Sequence, residues 1–216
     1  MHDQSPSSSR QQPQPAQTGA ESRVRDRVRQ IATDLGQTAI REVLFVDGNS
    51  FMARYDTRHD TLTFQRGWMD AAGGPESDAV TWTIHHELGH RGDKNASTVA
   101  WMTGLAVLVV IPVAALVWGL WRSISDAVKN DFVFETDTLL PAVASILIGV
   151  AIVAPLRWLL EFRADDFAAD RLGDADGLGA AFDATPSTIG RRTGTPTHPP
   201  VRTRLGRQRR RHPRAA

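Results

Sequence analysis

Two long apolar stretches constrain the fold of this chain more than any other feature of its sequence. Residues 97–121 carry no charged side chain, and residues 139–160 carry only Arg157. Each stretch has about the 20 residues that an α-helix needs to cross a hydrocarbon core of roughly 30 Å. Two buried core helices are the alternative, but a chain of 216 residues offers little other apolar sequence to cover them. We therefore predict a two-span transmembrane hairpin over residues 97–160.

The charges around these stretches predict an orientation. Residues 122–137, which connect the stretches, carry two basic and four acidic side chains, whereas arginines flank the outer ends. The positive-inside rule then places the connection outside and both other parts of the chain in the cytoplasm. Residues 1–21 contain no apolar stretch of the kind found in a signal peptide. We expect a multi-pass protein of the plasma membrane, with the lipid bilayer as a partner.

The remaining sequence predicts an α+β domain that is mainly helical. Residues 1–21 are rich in Ser, Gln and Pro and are predicted to be disordered. The domain covers residues 22–206, and a basic tail follows at 207–216. An amphipathic helix is predicted near residues 22–36, and short strands are predicted at 42–46, 51–55 and 61–65. The small sheet is either a site for strand addition by an extended peptide or a plain structural hairpin.

The segment His86-Glu87-Leu88-Gly89-His90 carries the most specific chemical signal. On a helix, positions i and i+4 lie one turn apart on the same face, so both imidazoles can reach one metal ion. Glu87 is rotated away from them and can act on a metal-bound water without being a ligand. This layout is typical of a zinc peptidase helix, although a chance match on a surface helix is the alternative. The chain has no cysteine, so a metal must be held by His, Asp or Glu.

A carboxylate that can complete the metal site lies just after the second apolar stretch. A pair of spans returns the chain to the side that it left, which brings Glu161 close to the two histidines. Two imidazoles and a carboxylate form the His₂Glu set of a catalytic zinc and leave the fourth position for water. Asp165 lies one helical turn beyond Glu161 and can accept the free N–H of a ligand histidine. The alternative is that both acids only form the polar end of a membrane helix.

Three motifs in this order resemble the HtpX and CaaX prenyl endopeptidase family of integral-membrane zinc metallopeptidases, of the gluzincin type. The matching residues are His86-Glu87-x-x-His90, Glu161-x-x-Ala164-Asp165, and Thr197-His198-Pro199-Pro200 with Arg204. The resemblance implies one zinc ion per chain, with His86, His90 and Glu161 as ligands. It also implies Glu87 as general base, with His198 and Arg204 near the cleft. Members of this family usually have further spans before the zinc motif, and this chain has none.

These observations predict a zinc-dependent endopeptidase that cleaves peptide bonds in membrane or misfolded proteins. In this mechanism Glu87 transfers the proton of the attacking water, and His198 or Arg204 stabilises the oxyanion or contacts substrate. One alternative is a catalytically silent membrane protein whose structural zinc site binds partners. Another is that the arginine-rich C-terminus binds anionic lipid or nucleic acid, although a solvated tail is favoured and no nucleic-acid partner is expected. The sequence does not indicate an oligomeric state.

Overall fold

The computed structural model describes residues 19–129, 139–173, 176–185 and 198–212. Within these residues the protein is mostly helical and contains one small three-stranded sheet. The first half comprises α1 (Gly19–Asp34), β1 (Glu42–Val46), β2 (Ala53–Asp56), β3 (Thr61–Gln65), α2 (Arg66–Ala71) and α3 (Asp78–Gly92). The second half comprises α4 (Lys94–Leu105), a π-helical segment (Ala106–Val110), α5 (Ile111–Lys129), α6 (Leu139–Leu172), α7 (Asp176–Asp183) and α8 (Val201–Arg211).

The three strands form a mixed sheet with the order β1-β3-β2. β1 runs parallel to β3, with Phe45 opposite Phe64, and β2 runs antiparallel to β3, with Tyr55 opposite Leu62. The central strand β3 alternates the polar residues Thr61, Thr63 and Gln65 with Leu62 and Phe64, and the latter two are fully buried. Such residues fit a pleated, half-buried surface. The sheet therefore presents one apolar face to the core and leaves β2 as an outer strand.

Helix α3 lies at the centre of the fold. Ser77 caps its N-terminus by accepting a hydrogen bond from the N–H of Val80 at 3.3 Å. Every residue from Ala79 to Gly89 except Thr81 is buried, because α3 packs against α6, α7, α1 and β2. A helix that is buried on nearly all sides does not need a single apolar stripe. Polar side chains on α3 are therefore enclosed by protein.

The two apolar stretches form helices that pack against each other, but not the predicted pair of spans. The first stretch is divided among α4, the π-helical segment and α5, and the second forms about the N-terminal two thirds of α6. The π-helical segment ends two residues before Pro112, whose missing N–H cannot bond to the carbonyl one turn back. The C-terminal half of α6 carries charged residues, including Glu161 and Asp165.

The predicted two-span transmembrane hairpin is therefore wrong. In the part of the chain that the structure describes, no helix is both long enough and apolar enough to cross a membrane. α4 and α5 instead pack along α6 as neighbouring helices. The predicted plasma-membrane location, its orientation and the lipid-bilayer partner were inferred from these spans.

Several sequence predictions fall on the ends of the described segments. Residues 1–18 of the predicted disordered tail, residues 130–138 of the connection, Thr197 and residues 213–216 lie outside the described residues. Helix α1 begins at Gly19, within the stretch assigned to that tail. Residues 207–211 of the predicted basic tail belong to α8, which packs on α6 and α7.

The contact between α7 and α3 gives a test of this packing. A Cβ atom placed on Gly177 would lie 2.7 Å from Cβ of Trp82, so Gly177→Ala must displace one of the two helices. Overpacking of this kind costs about 1–3 kcal/mol, which urea unfolding should measure as a lower free energy of unfolding. The matched control is Gly179→Ala in the same helix, where the nearest atom lies at 4.0 Å. Equal stability of the two variants would contradict the described packing.

Candidate metal centre

The two histidines of the His-Glu-x-x-His segment lie on one face of α3. Their Nε2 atoms are 3.2 Å apart, and the imidazole rings meet edge to face with centroids at 4.7 Å. Trp82, one turn before His86, stacks on the His86 ring with a centroid distance of 5.0 Å. Because Trp82 is fully buried, its stacked ring holds the His86 imidazole in position from the side of the preceding helical turn.

Helix α6 brings Glu161 to the same place. A Cβ atom on Gly89 would lie 3.1 Å from Cα of Ala164, so the absence of a side chain at Gly89 lets α6 approach α3 closely. On α3 this contact lies at Gly89, between the two histidines in sequence. On α6 it lies at Ala164, about one helical turn after Glu161. Glu161 Oε1 then lies 3.3 Å from His90 Nε2, and Glu161 Oε2 lies 3.7 Å from His86 Nε2.

These three residues can hold a metal ion. One ligand atom from each of His86, His90 and Glu161 lies within 4.8 Å of the others. A tetrahedral site with metal–ligand bonds of about 2.0–2.2 Å separates its ligand atoms by roughly 3.3–3.6 Å, which is close to the observed spacing. Two Nε2 lone pairs that face each other repel unless a proton or a cation lies between them. The donor set therefore fits a metal ion in both distance and chemistry.

Asp165 lies beside the second ring nitrogen of His86. Its Oδ1 lies 3.0 Å from Nδ1 of His86, and its side chain is completely buried. This is an ion-pair distance, and among the described residues Nδ1 makes no hydrogen bond of good geometry; a proton on Nδ1 would face the carboxylate and leave Nε2 as the nitrogen directed at His90 and Glu161. This is the usual arrangement of a metal-binding histidine and a supporting carboxylate.

Arg204 of α8 compensates the buried acids. It donates to Asp165 through Nε at 2.7 Å and through Nη2, and its Nη1 lies 3.4 Å from Glu161 Oε2. Burial alone would raise the pKa of Asp165, but the Arg204 charge and hydrogen bonds hold it below its ordinary value. Burial would likewise raise the pKa of Glu161, and the bond from His90 and the Arg204 charge hold it well below its usual range. Both carboxylates are therefore ionised and able to face a cation.

Glu87 is the third buried acid, and it does not join the ligand group. Its Oε2 accepts a hydrogen bond of 2.9 Å from the backbone N–H of Tyr55 in β2. The side chain is enclosed between α3 and the outer strand of the sheet, with the residue only 8% exposed. Glu87 thus lies beside the metal ligands and is oriented by the sheet.

The two late residues occupy different positions. The His198 side chain is exposed and its Nε2 lies 3.6 Å from Glu161 Oε1, so it borders the centre from the solvent side. Arg204 is 3% exposed and its guanidinium is engaged by Asp165 and Glu161. This geometry favours Arg204 as a partner of the buried carboxylates rather than as a donor to substrate.

Some residues of the site carry no recognisable sequence signal. Tyr55 contacts Glu87 through its backbone N–H, which every residue except proline possesses. Trp82 has a weak signal, because it precedes His86 by one turn, as His86 precedes His90. The docking of α8 also depends on Asp166, which accepts hydrogen bonds from Arg207, Gln208 and Arg211. The many arginines of α8 and the acidic residues near the end of α6 are both visible in the sequence and could have indicated this contact.

Comparison with known proteins does not assign the chain to a family. No protein-family model, curated protein or solved structure matches it. The inferences about this site therefore depend on its own geometry.

The Arg204–Asp165 pair gives a prediction about stability and its pH dependence. Arg204→Met leaves two buried carboxylates without their cation, which should lower the free energy of unfolding by about 3–5 kcal/mol at pH 7. The depressed pKa of Asp165 means that its ionised form stabilises the parent above the unfolded pKa of about 4, and that this contribution is lost as pH falls further. The cost of the substitution should therefore shrink below about pH 4.

Urea unfolding of parent and variant across pH measures this difference. Arg209→Met is the matched control, because Arg209 is exposed on the same helix. We expect this control to change stability by less than about 0.5 kcal/mol. A cost of Arg204→Met that does not depend on pH would contradict the assigned charge state.

Proposed function

We propose that the protein is a zinc-dependent endopeptidase. The observation that carries this proposal is the convergence of His86, His90 and Glu161 beside Glu87, a buried carboxylate that the metal site does not require. A site that served structure alone would have no use for a third acidic side chain held one residue from a ligand. The resemblance of three ordered motifs to the HtpX and CaaX prenyl endopeptidase family supports the same activity.

The donor set favours zinc among the common metals. Two imidazole nitrogens and one carboxylate suit Zn²⁺, and they leave one coordination position for water. The same donors serve non-haem iron in oxygenases, so the ligands alone do not select the reaction. Glu87 supports hydrolysis, because this reaction needs a proton acceptor next to the attacking water.

In the proposed peptide hydrolysis each residue of the centre has a separate role. His86, His90 and Glu161 would hold the zinc ion, which would supply Lewis acidity for the scissile carbonyl and for the attacking water. Glu87 accepts a proton from the attacking water and delivers it to the nitrogen of the leaving amine. Asp165 keeps the proton of His86 on Nδ1, and Arg204 keeps Glu161 and Asp165 ionised. His198 would donate to the developing oxyanion, a role supported by its position 3.6 Å from Glu161 at the border of the centre.

A catalytically silent protein with a structural zinc site is the second candidate. Structural zinc sites are normally closed by four protein ligands. Here the described residues supply three ligand groups, and His198 lies near enough to Glu161 to be considered as a fourth. Metal binding does not separate the two functions, but cleavage of a protein substrate such as casein does.

Metal binding itself can be tested through stability. Zn²⁺ at about 100 times its dissociation constant should raise the free energy of unfolding of the parent by about 2.7 kcal/mol. His86→Ala should abolish this gain, because it removes one of three ligands. His85→Ala is the matched control, since the Nδ1 of His85 bonds to the carbonyl of Thr81 at 2.9 Å and the ring is not part of the ligand group. An equal zinc response in parent and His86→Ala would contradict the ligand assignment.

The role of Glu87 is tested by a nearly isosteric change. Glu87→Gln removes the proton acceptor but no metal ligand, so zinc content should stay at one ion per chain. The rate of peptide cleavage should fall by about 10²- to 10⁴-fold. Glu76→Gln, at an exposed carboxylate before α3, should cleave at the parent rate. If Glu87→Gln also cleaves at the parent rate, Glu87 is not the base.

A further inference from the structure

We propose that Asp60 is a positioning residue that holds the general base Glu87 in place through Tyr55. The inference rests on the proposed function, because it concerns the residue that would act as base. Asp60 lies in the turn between β2 and β3 and contacts neither a metal ligand nor the reacting atoms. Its effect on Glu87 passes through a closed ring of hydrogen bonds.

The ring begins and ends on α3. Glu87 and Arg91 lie one helical turn apart, so both side chains are on the same face of α3. The Tyr55 N–H donates to Glu87 Oε2 at 2.9 Å, and the Tyr55 hydroxyl donates to Asp60 Oδ1 at 2.6 Å. Arg91 closes the ring by donating to both Asp60 oxygens, through Nε and Nη2, at 2.9 Å each.

Asp60 joins further segments of the chain to this ring. Its Oδ2 accepts a hydrogen bond from the backbone N–H of Arg41, just before β1, at 3.3 Å. Arg91 also donates to Thr38 and to the carbonyl of Ala39, so the same guanidinium holds the loop after α1. A single carboxylate therefore fixes the β2–β3 turn and the start of β1 against the C-terminal turn of α3.

The backbone of Asp60 supports a specific role. Its φ of 52° is in the left-handed region, where Asn and Asp are tolerated and most other residues are strained. Burial and the Asp60 carboxylate raise the pKa of Tyr55 to about 12, so its hydroxyl remains a donor at all ordinary pH values. The ring thus consists of groups whose donor and acceptor roles are fixed.

The ring matters because a glutamate side chain has three rotatable bonds and needs an external constraint. A backbone N–H can supply that constraint only while β2 keeps its position relative to α3. The base of a proton transfer must lie within about 0.5 Å of its productive position to act efficiently. Release of β2 from Asp60 should therefore disorder Glu87 without changing the metal ligands.

Two variants test the proposal with little change in shape. Asp60→Asn keeps a residue that tolerates the left-handed backbone and removes the charge, and Tyr55→Phe removes only the hydroxyl. Asp56→Asn is the matched control, because Asp56 is in the same hairpin, its side chain is 44% exposed, and it pairs with His59. Zinc affinity, kcat and KM for a peptide substrate, and residue-resolved amide hydrogen exchange are measured for each protein. Glu87→Ala calibrates the exchange rate of the Tyr55 amide without its acceptor.

We expect Asp60→Asn and Tyr55→Phe to speed exchange of the Tyr55 amide toward the rate in Glu87→Ala, with the amides of Leu62 and Phe64 unchanged. In both variants kcat should fall by about 10- to 100-fold, with KM and zinc affinity at parent values. The proposal is overturned if Tyr55 exchange and kcat stay at parent values. It is also overturned if all amides of the sheet lose protection together, because Asp60 would then support stability alone. If the parent protein does not cleave peptides but both variants speed exchange of the Tyr55 amide as expected, the endopeptidase proposal is refuted. The positioning of Glu87 by Asp60 would then still stand.

Discussion

The compensation of buried negative charge is the constraint on which this structure depends. Glu87, Glu161 and Asp165 are each less than a tenth exposed and lie around a single turn of α3. Isolated carboxylates in such a place would carry a desolvation cost of several kcal/mol each. Arg204 faces two of them, and a backbone N–H faces the third. A divalent cation among the ligand atoms would supply the remaining positive charge.

Close packing of the helices brings these charged side chains together with the two histidines. Gly89 lets α6 approach α3, so that a carboxylate from a distant part of the sequence meets two imidazoles. Trp82 supports one imidazole, and Gly177 in turn leaves room for Trp82. The small residues are therefore as important to the centre as the ligands, because they determine how near the helices can come.

The sequence predicted the ligand group better than it predicted the environment. The i, i+4 spacing of His86 and His90 follows from helix geometry and needs no knowledge of the fold. The expectation that Glu161 lies beside them follows from the return of the chain between the two apolar stretches, and in the described residues α4 and α5 pack along α6 although the predicted membrane spans are not found. For the first stretch, hydropathy measures the composition of the segment and does not reveal that the backbone divides into α4, a π-helical segment and α5. The contacts of Tyr55 and Asp60 depend on tertiary register, which local pattern does not encode.

The attachment of α8 has two parts with different physical character. Inside, the Arg204–Asp165 pair is shielded from solvent, and dissolved ions reach it poorly. Outside, Arg211 bonds to Asp166 with about half of its side chain exposed, where mobile counterions weaken the attraction over a Debye length of about 8 Å at physiological ionic strength. Rising salt concentration therefore loosens the outer end of α8 before it affects the inner end. The electrostatic attachment of the C-terminal helix therefore depends least on salt where the helix contacts the carboxylates of the metal centre and most on salt at its exposed end.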